Sequence, residues 1–466
     1  MSSESKSIDC TNYNGDNCPK GDKVQIDPIQ KLDENTLNVV MVGCWGVYGW
    51  DEEKSIKEYS LEKFIEKGLG KDEYDKFAKS IKKSDSIGEV KDNDIIKGLL
   101  TSLQKEYNEA KADDKEKKKE IINKLFKNNN ELYGQKKVIN GIKKLNIDAL
   151  FLAGDNVYSF NEPKDDLINL IKSVLNGETD IGSLPTKKGY KKNPKYSPQN
   201  IQTQLSDGFT NLVQDINIKT NIFLGIGNHD IQTCKDLNDQ LNYKTKDTRY
   251  GLHGLYYNVV YNMKDYNVNF IIIDTNMFSE DSHCDGTIQY TEDQKKDQIT
   301  WVINCLTTNK CKFNIIIGHC PYIANPHKNE TVKNRGGEDD VIGIRNDKLE
   351  VLFNRIKDTQ NIPKVQVYMC ADEHNQQFLY DNHYKMGLVV AGSGGTALDY
   401  DLSREQKIKD VDSKFREATF GFVEFNFTDD KIAIKYHNSQ IDDQVHYLVK
   451  LNENGEINYR VEDRHE

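Results

Sequence analysis

A chain of 466 residues is longer than the usual single domain, although large α/β units reach this size when they carry insertions. Hydrophobic residues make up 36% and charged residues 29%, the balance of a folded core diluted by polar insertions and tails. With 74 acidic against 63 basic residues, the formal net charge is −11; such a surface repels polyanions, which argues against a general nucleic-acid binder.

Residues 1–35 are polar, lack periodicity and read as an extended or disordered arm. They contain no apolar stretch of signal-peptide type, and no run in the chain approaches 18 apolar residues. The expectation is therefore a protein without a membrane span, cytoplasmic or otherwise intracellular. Nine cysteines, with no Cys-x-x-Cys pair, fit a reducing compartment. Cys44, Cys320 and Cys370 adjoin apolar runs and read as buried thiols, whereas Cys10 with Cys18, or Cys305 with Cys311, are near enough in sequence to pair.

The first predicted strand is Leu37–Gly43, an apolar run that ends in glycine. Residues 52–130 differ in character: they are rich in Lys, Glu and Asp, with apolar residues at helical spacing (Leu61, Phe64, Ile65, Leu69; then Ile121, Ile122, Leu125, Phe126). This segment reads as a module of amphipathic helices inserted into the domain that spans 36–466. It is surface decoration or, alternatively, a docking surface for a protein partner. Beyond Lys136 helices alternate with short apolar strands at Ala149–Ala153, Ile222–Gly225, Val268–Asp274, Phe313–Gly318 and Val365–Cys370. Phe422–Phe427 and Ile432–Tyr436 alternate more cleanly, as antiparallel strands do.

Four strand-end loops carry ligand-type residues: Gly154-Asp155-Asn156-Val157-Tyr158, Gly227-Asn228-His229-Asp230, Gly318-His319-Cys320-Pro321 and Ala371-Asp372-Glu373-His374-Asn375. In α/β folds, sites form at the carboxyl ends of strands. Singly, each loop is an ordinary turn, and a strand-end His is usually a satisfied core residue. In this order, each after an apolar strand, chance is a poor explanation. A dinuclear metal site needs these parts: two cations ~3.5–4 Å apart that share a carboxylate, for which Asp155 is the candidate, with mixed oxygen and imidazole ligands that suit iron, zinc or manganese.

The motifs Gly-Asp-x-x-Tyr, Gly-Asn-His-Asp, Gly-His-x-Pro and x-x-x-His-Asn-x-Gln together resemble the calcineurin-like metallophosphoesterase superfamily, and Tyr158 points within it to the purple acid phosphatases. The resemblance covers about residues 36–450, except for most of 51–130. It implies a four-layer α/β/β/α sandwich, here with an inserted helical module, and a phosphoric monoester hydrolase acting through a dinuclear centre of iron with zinc, manganese or a second iron. By position, Asp155 would bridge the ions, Tyr158 and His374 would bind the first, and Asn228 and His319 the second. His229 would be the catalytic acid or orient phosphate, and His327 would match a second catalytic histidine with spacing off by about one residue.

Two positions depart from the family pattern. Gly43-Cys44-Trp45-Gly46 stands where Gly-Asp-x-Gly is usual, and Ala371-Asp372-Glu373-His374 stands for Gly-His-x-His. Each ion thus loses one standard ligand, and each replacement is itself a potential ligand. Read alone, Cys44 is more often a buried core thiol than a ligand. Alanine at 371 is expected to strain its loop. Two readings follow: a rebuilt site with Cys44 and Asp372 as metal ligands, or a degenerate, non-catalytic phosphatase-like interaction protein whose metal centre is partly occupied or empty.

Overall fold

The computed structural model describes residues 24–45, 105, 135–157, 216–217, 219–231, 234–243, 249, 251–278, 290–326, 331–335, 340–395, 398, 405–439 and 444–457. Apart from Lys105, these belong to one compact unit made of Met1–Val47, Gly134–Ser159 and Asn200–Glu466. The expected helical module at 52–130 and the arm up to residue 23 lie outside the described residues.

In chain order the principal elements begin with β1 (Val24–Gln25), β2 (Ile29–Lys31), β3 (Leu37–Val42), α1 (Gln135–Lys143), β4 (Ala149–Leu152) and β5 (Asn221–Leu224). There follow α2 (Cys234–Leu241), β6 (Tyr257–Met263), β7 (Asn267–Ile272), α3 (Glu292–Asn309), β8 (Phe313–Ile317), α4 (Asp347–Asp358) and β9 (Val367–Cys370). The last are β10 (Gln376–Asp381), β11 (Met386–Ala391), β12 (Val411–Glu417), β13 (Gly421–Phe427), β14 (Lys431–Asn438) and β15 (Gln444–Asn452). A six-stranded sheet runs in the order β15-β14-β13-β3-β4-β5, and a nine-stranded sheet runs β1-β6-β7-β8-β9-β11-β10-β12, with β2 also paired to β6. In the first, β3, β4 and β5 are parallel and β13 to β15 form an antiparallel flank. In the second, β7, β8, β9 and β11 are parallel.

The runs that predicted strands form them because their residues are apolar on both sides, as parallel strands between other layers require. One core cluster takes alternate residues from both sheets: Val39, Met41, Phe151 and Phe425 with Val259, Phe270, Ile315 and Met369. Phe151 meets Phe270 with ring centroids 4.6 Å apart, a tilted aromatic pair that joins strands of the two sheets. The intervening residues Val40, Leu150, Ile316 and Tyr368 belong to a second cluster with Val138 and Ile142 of α1, Val302 and Leu306 of α3, and Leu352 and Phe353 of α4. Helix α3 opens on a capping box in which Thr291 and Gln294 satisfy each other's backbone N–H.

Cys305 and Cys311 are both free, so that suggested pairing is not made. Cys44 and Cys370 are buried as expected, and Cys320 is half-buried. Among the described residues, no helix is long and apolar enough to cross a membrane.

Candidate metal centre

Parallel strands deliver their carboxyl ends to one edge of each sheet. Chain leaving β3 enters Gly43-Cys44, chain leaving β4 enters Gly154-Asp155, and β5 leads to Gly227-Asn228-His229. From the other sheet, β8 leads to Gly318-His319 and β9 to Ala371-Asp372. Backbone bonds stitch these turns together: Cys44 N donates to Gly154 O at 3.1 Å, Gly43 N to Ala391 O at 2.8 Å, and Ala371 N to His319 O at 2.8 Å. A Cβ at Gly43 would collide with the Ala371 methyl, which shows how closely the first and fourth loops approach.

His319 is the pivot. Its ring is buried, and Nδ1 lies 2.8 Å from Ala153 O. A carbonyl only accepts, so Nδ1 carries a proton, and Nε2 is the second position of the ring, protonated in an imidazolium and a lone pair in a neutral imidazole. Around Nε2 stand three oxygens: Asn228 Oδ1 at 3.0 Å, Asp155 Oδ1 at 3.2 Å and Asp372 Oδ1 at 3.5 Å. A lone pair facing three acceptors is unfavourable unless a proton or a cation sits between them. Anchoring one ring nitrogen on a backbone carbonyl while the other faces the ion is the usual arrangement of a metal-binding histidine. The donor set therefore fits a metal ion.

Asp155 addresses two sides at once. Oδ1 faces His319 and accepts from the backbone N–H of His229 at 3.1 Å, while Oδ2 lies 3.9 Å from Cys44 Sγ. Cys44, Asp155 and His319 are all buried, and one ligand atom from each lies within 4.8 Å of the others. Burial alone would raise the Asp155 carboxyl, but His319 and His229 hold it well below the usual carboxylate range. Burial would likewise lower His319, and Asp155 with Asp372 turns that into a rise well above an ordinary imidazole. Burial raises the Asp372 carboxyl too, but its hydrogen bond to His319 brings it below the ordinary value. Burial, reinforced by Asp155, pushes the Cys44 thiol well up.

The backbone at these positions is unusual. Cys44, Asp155 and Asp372 have φ of 52°, 54° and 64°, the left-handed region that side chains other than glycine enter at a cost of about 1 kcal/mol or more. The strain expected at Ala371 is thus carried one residue later, by Asp372, because Ala371 keeps negative φ and packs its methyl against Gly43.

Sequence reasoning gave no role to three residues that hold these loops. Asp230 is buried, and its carboxylate accepts from Asn156 N at 2.9 Å, Val157 N at 3.1 Å, Asn156 Nδ2 at 3.0 Å and Gly227 N at 2.8 Å, tying the Asp155 loop to the Asn228 loop. Burial, then the neighbouring Asp155, pushes its carboxyl up to about 7. Thr275 Oγ1 accepts from His319 N at 3.3 Å and Cys320 N at 3.0 Å. Asp274 beside it is buried and bonded to Tyr290 and Asn276. Asp230 was visible within its motif; the Asp274-Thr275 turn was visible only as the end of an apolar run.

Of the sequence-predicted site residues, the structure brings together Cys44, Asp155, Asn228, His319 and Asp372. His229 touches the group through its backbone and keeps a half-buried ring. His374, two residues past Asp372, is half-buried and is not part of the Cys44–Asp155–His319 group. Tyr158 and His327 lie outside the described residues.

No family model matches the chain, and no curated relative matches it. Among solved structures, GAP50, the anchor in the inner membrane complex of Plasmodium, is 14% identical over 90% of this chain and 89% of that one, with a TM-score of 0.46. Purple acid phosphatase PPD1 from yellow lupin (Lupinus luteus) seeds is 14% identical over 90% of this chain and 54% of that one, with a TM-score of 0.42. PhoD is 12% identical over 71% of this chain and 69% of that one, with a TM-score of 0.45.

Proposed function

We propose that this chain hydrolyses phosphomonoesters at a two-ion centre, built in a four-layer α/β/β/α sandwich that carries a helical module at about 52–130. The observation that carries this reading is the divided carboxylate of Asp155, one oxygen beside His319 and the other beside Cys44. A carboxylate so placed serves two cations at once.

In this reading Asn228, His319 and Asp372 would hold one ion with Asp155, and Cys44, Tyr158 and His374 would hold the other. When bound, such ions polarise a phosphoryl oxygen and make water acidic near neutral pH. The protein's own part is to fix these ligands, to orient the ester and to move a proton. Water would attack phosphorus in line as the ester P–O bond breaks; the alcohol would leave with a proton from His229, whose backbone is fixed on Asp155, and the proton given up by the water would restore His229. His327, outside the described residues, would be a second catalytic histidine.

The test is Asp155→Asn. Metal content, measured on the purified full chain, should fall from close to two ions to well under one, with hydrolysis of an aryl phosphate lost in step. Unchanged metal content in the variant would remove the bridging role. A wild-type chain that holds its ions yet hydrolyses no phosphomonoester would instead favour the interaction-protein reading, with residues 52–130 as the partner surface.

A further inference from the structure

The two halves of this centre offer unlike donors, and the difference has consequences for which ion goes where. Bonds of about 2.0–2.1 Å to nitrogen and oxygen place the ligands of a tetrahedral ion about 3.3–3.4 Å apart. On the His319 side the separations from Nε2 are 3.0, 3.2 and 3.5 Å, so the nitrogen stands near coordination spacing from each of three oxygens. Each is supplied by a different strand-end loop, and Asp230 and Thr275 lock three of those loops with buried hydrogen bonds.

On the Cys44 side the described donors are one sulfur and one oxygen, 3.9 Å apart. With a metal–sulfur bond of about 2.3 Å, a tetrahedral S···O edge is about 3.5–3.7 Å, so this pair must close slightly around its ion. Sulfur also changes the preference. Thiolate favours zinc, cadmium and cobalt(II) over hard oxygen-seeking ions such as manganese, magnesium or ferric iron. Cys44 is fully buried.

We infer that the centre is chemically divided: the His319–Asn228–Asp155–Asp372 side takes the first ion through nitrogen and oxygen, and the Cys44 side takes a thiophilic second ion, zinc in preference to iron. This rests on the metal-centre reading above and adds to it the order of loading and the identity of the second ion.

Cobalt(II) is the probe, because thiolate ligation adds a near-ultraviolet charge-transfer band to its visible d–d spectrum. Metal-free full-length protein should gain only d–d absorption with the first equivalent and the thiolate band with the second. Cys44→Ser should remove the band and keep the first equivalent; Cys320→Ser, a thiol in the neighbouring turn, should keep both. Asp372→Asn should weaken the first equivalent about tenfold or more. Zinc should then displace only the second cobalt when added at one equivalent. A thiolate band with the first equivalent, or two bound cobalt ions with no such band, overturns the division and leaves the metal-centre reading standing. Failure to bind cobalt at all overturns both.

Discussion

Gly154 offers a direct test of how the Asp155 loop is packed. Its φ is +85°, and an added Cβ would lie 2.5 Å from Gly227 N, 2.7 Å from His319 Nδ1 and 2.8 Å from Gly227 Cα. Gly154→Ala therefore carries two costs. The left-handed backbone costs about 1–2 kcal/mol, and forcing a methyl against backbone atoms that cannot swing away costs about 1–3 kcal/mol. The sum, about 2–5 kcal/mol, corresponds to a fall in Tm of roughly 3–7 °C for a unit of this size. The methyl also pushes on the ring nitrogen that bonds Ala153 O, so the His319 ring should tilt and metal content should drop with stability. Gly225→Ala is the matched control: its Cβ would meet nothing nearer than Leu152 O at 3.5 Å, an ordinary contact. Thermal unfolding and elemental analysis of both variants decide the matter. If Gly154→Ala unfolds within a degree or two of Gly225→Ala and keeps its metal, the two loops are not packed as described.

Two further expectations follow from the site and its surroundings. The double variant Cys44→Asp with Asp372→His rebuilds the ligand set of the family resemblance and should bring a broad visible band, from a phenolate on ferric iron at Tyr158, together with raised hydrolysis of an aryl phosphate; two bound ions with no more hydrolysis than the parent would show that ligand identity is not limiting. Glu424 is held at about 2 although its burial opposes this, because His437 at 2.8 Å, Asn426 and Lys435 surround it. Its folded-state value lies below the unfolded one, so the stabilisation is present above about pH 4.5 and is lost as pH falls towards 2. With Lys435 partly open to solvent, Glu424→Gln should cost about 1–2 kcal/mol at pH 7 and almost nothing near pH 2, in urea titrations at the two pH values.

The strands at the centre of both sheets were legible because they are apolar on both faces: Leu37–Val42, Ala149–Leu152 and Phe313–Ile317 depart from expectation by one residue each, at the end where the loop begins. The strand Gln376–Asp381 was not read, because it opens on two glutamines. Both are buried, and Gln377 spends its amide on Asn325 and Asn375, a satisfaction that only tertiary neighbours supply. The ligand loops could be read from their residue types, since glycine beside Asp, Asn or His after a strand is a local signal. The hydrogen bonds that tie those loops to distant segments, as from His319 to Thr275 and from Asn156 to Asp230, join residues 44 or more positions apart, and no local pattern encodes them. Nor did the sequence indicate that Cys44 and Asp372 would share the left-handed conformation of Asp155.

That shared conformation bears on whether the site is kept for a ligand. A protein needing only the fold would lose nothing by placing glycine at position 44, where φ is 52°. In ordinary backbone, Gly is less stabilising than Ala by about 0.5–1 kcal/mol; in the left-handed region the order reverses, by about 1–2 kcal/mol. Cys44→Gly and Cys44→Ala lose the same sulfur, so the difference between them isolates the backbone. Without metal, Cys44→Gly should be the more stable of the two by about 1 kcal/mol. With saturating zinc, the wild type should gain at least 2–3 kcal/mol, about the value for ligand at 100 times its Kd, and neither variant should match it. Differential scanning calorimetry with and without zinc gives both comparisons. If Ala is the more stable, the strain at position 44 is absent; if zinc leaves the wild-type Tm unmoved, the strained cysteine is not retained for an ion, and the centre is a relic of the fold.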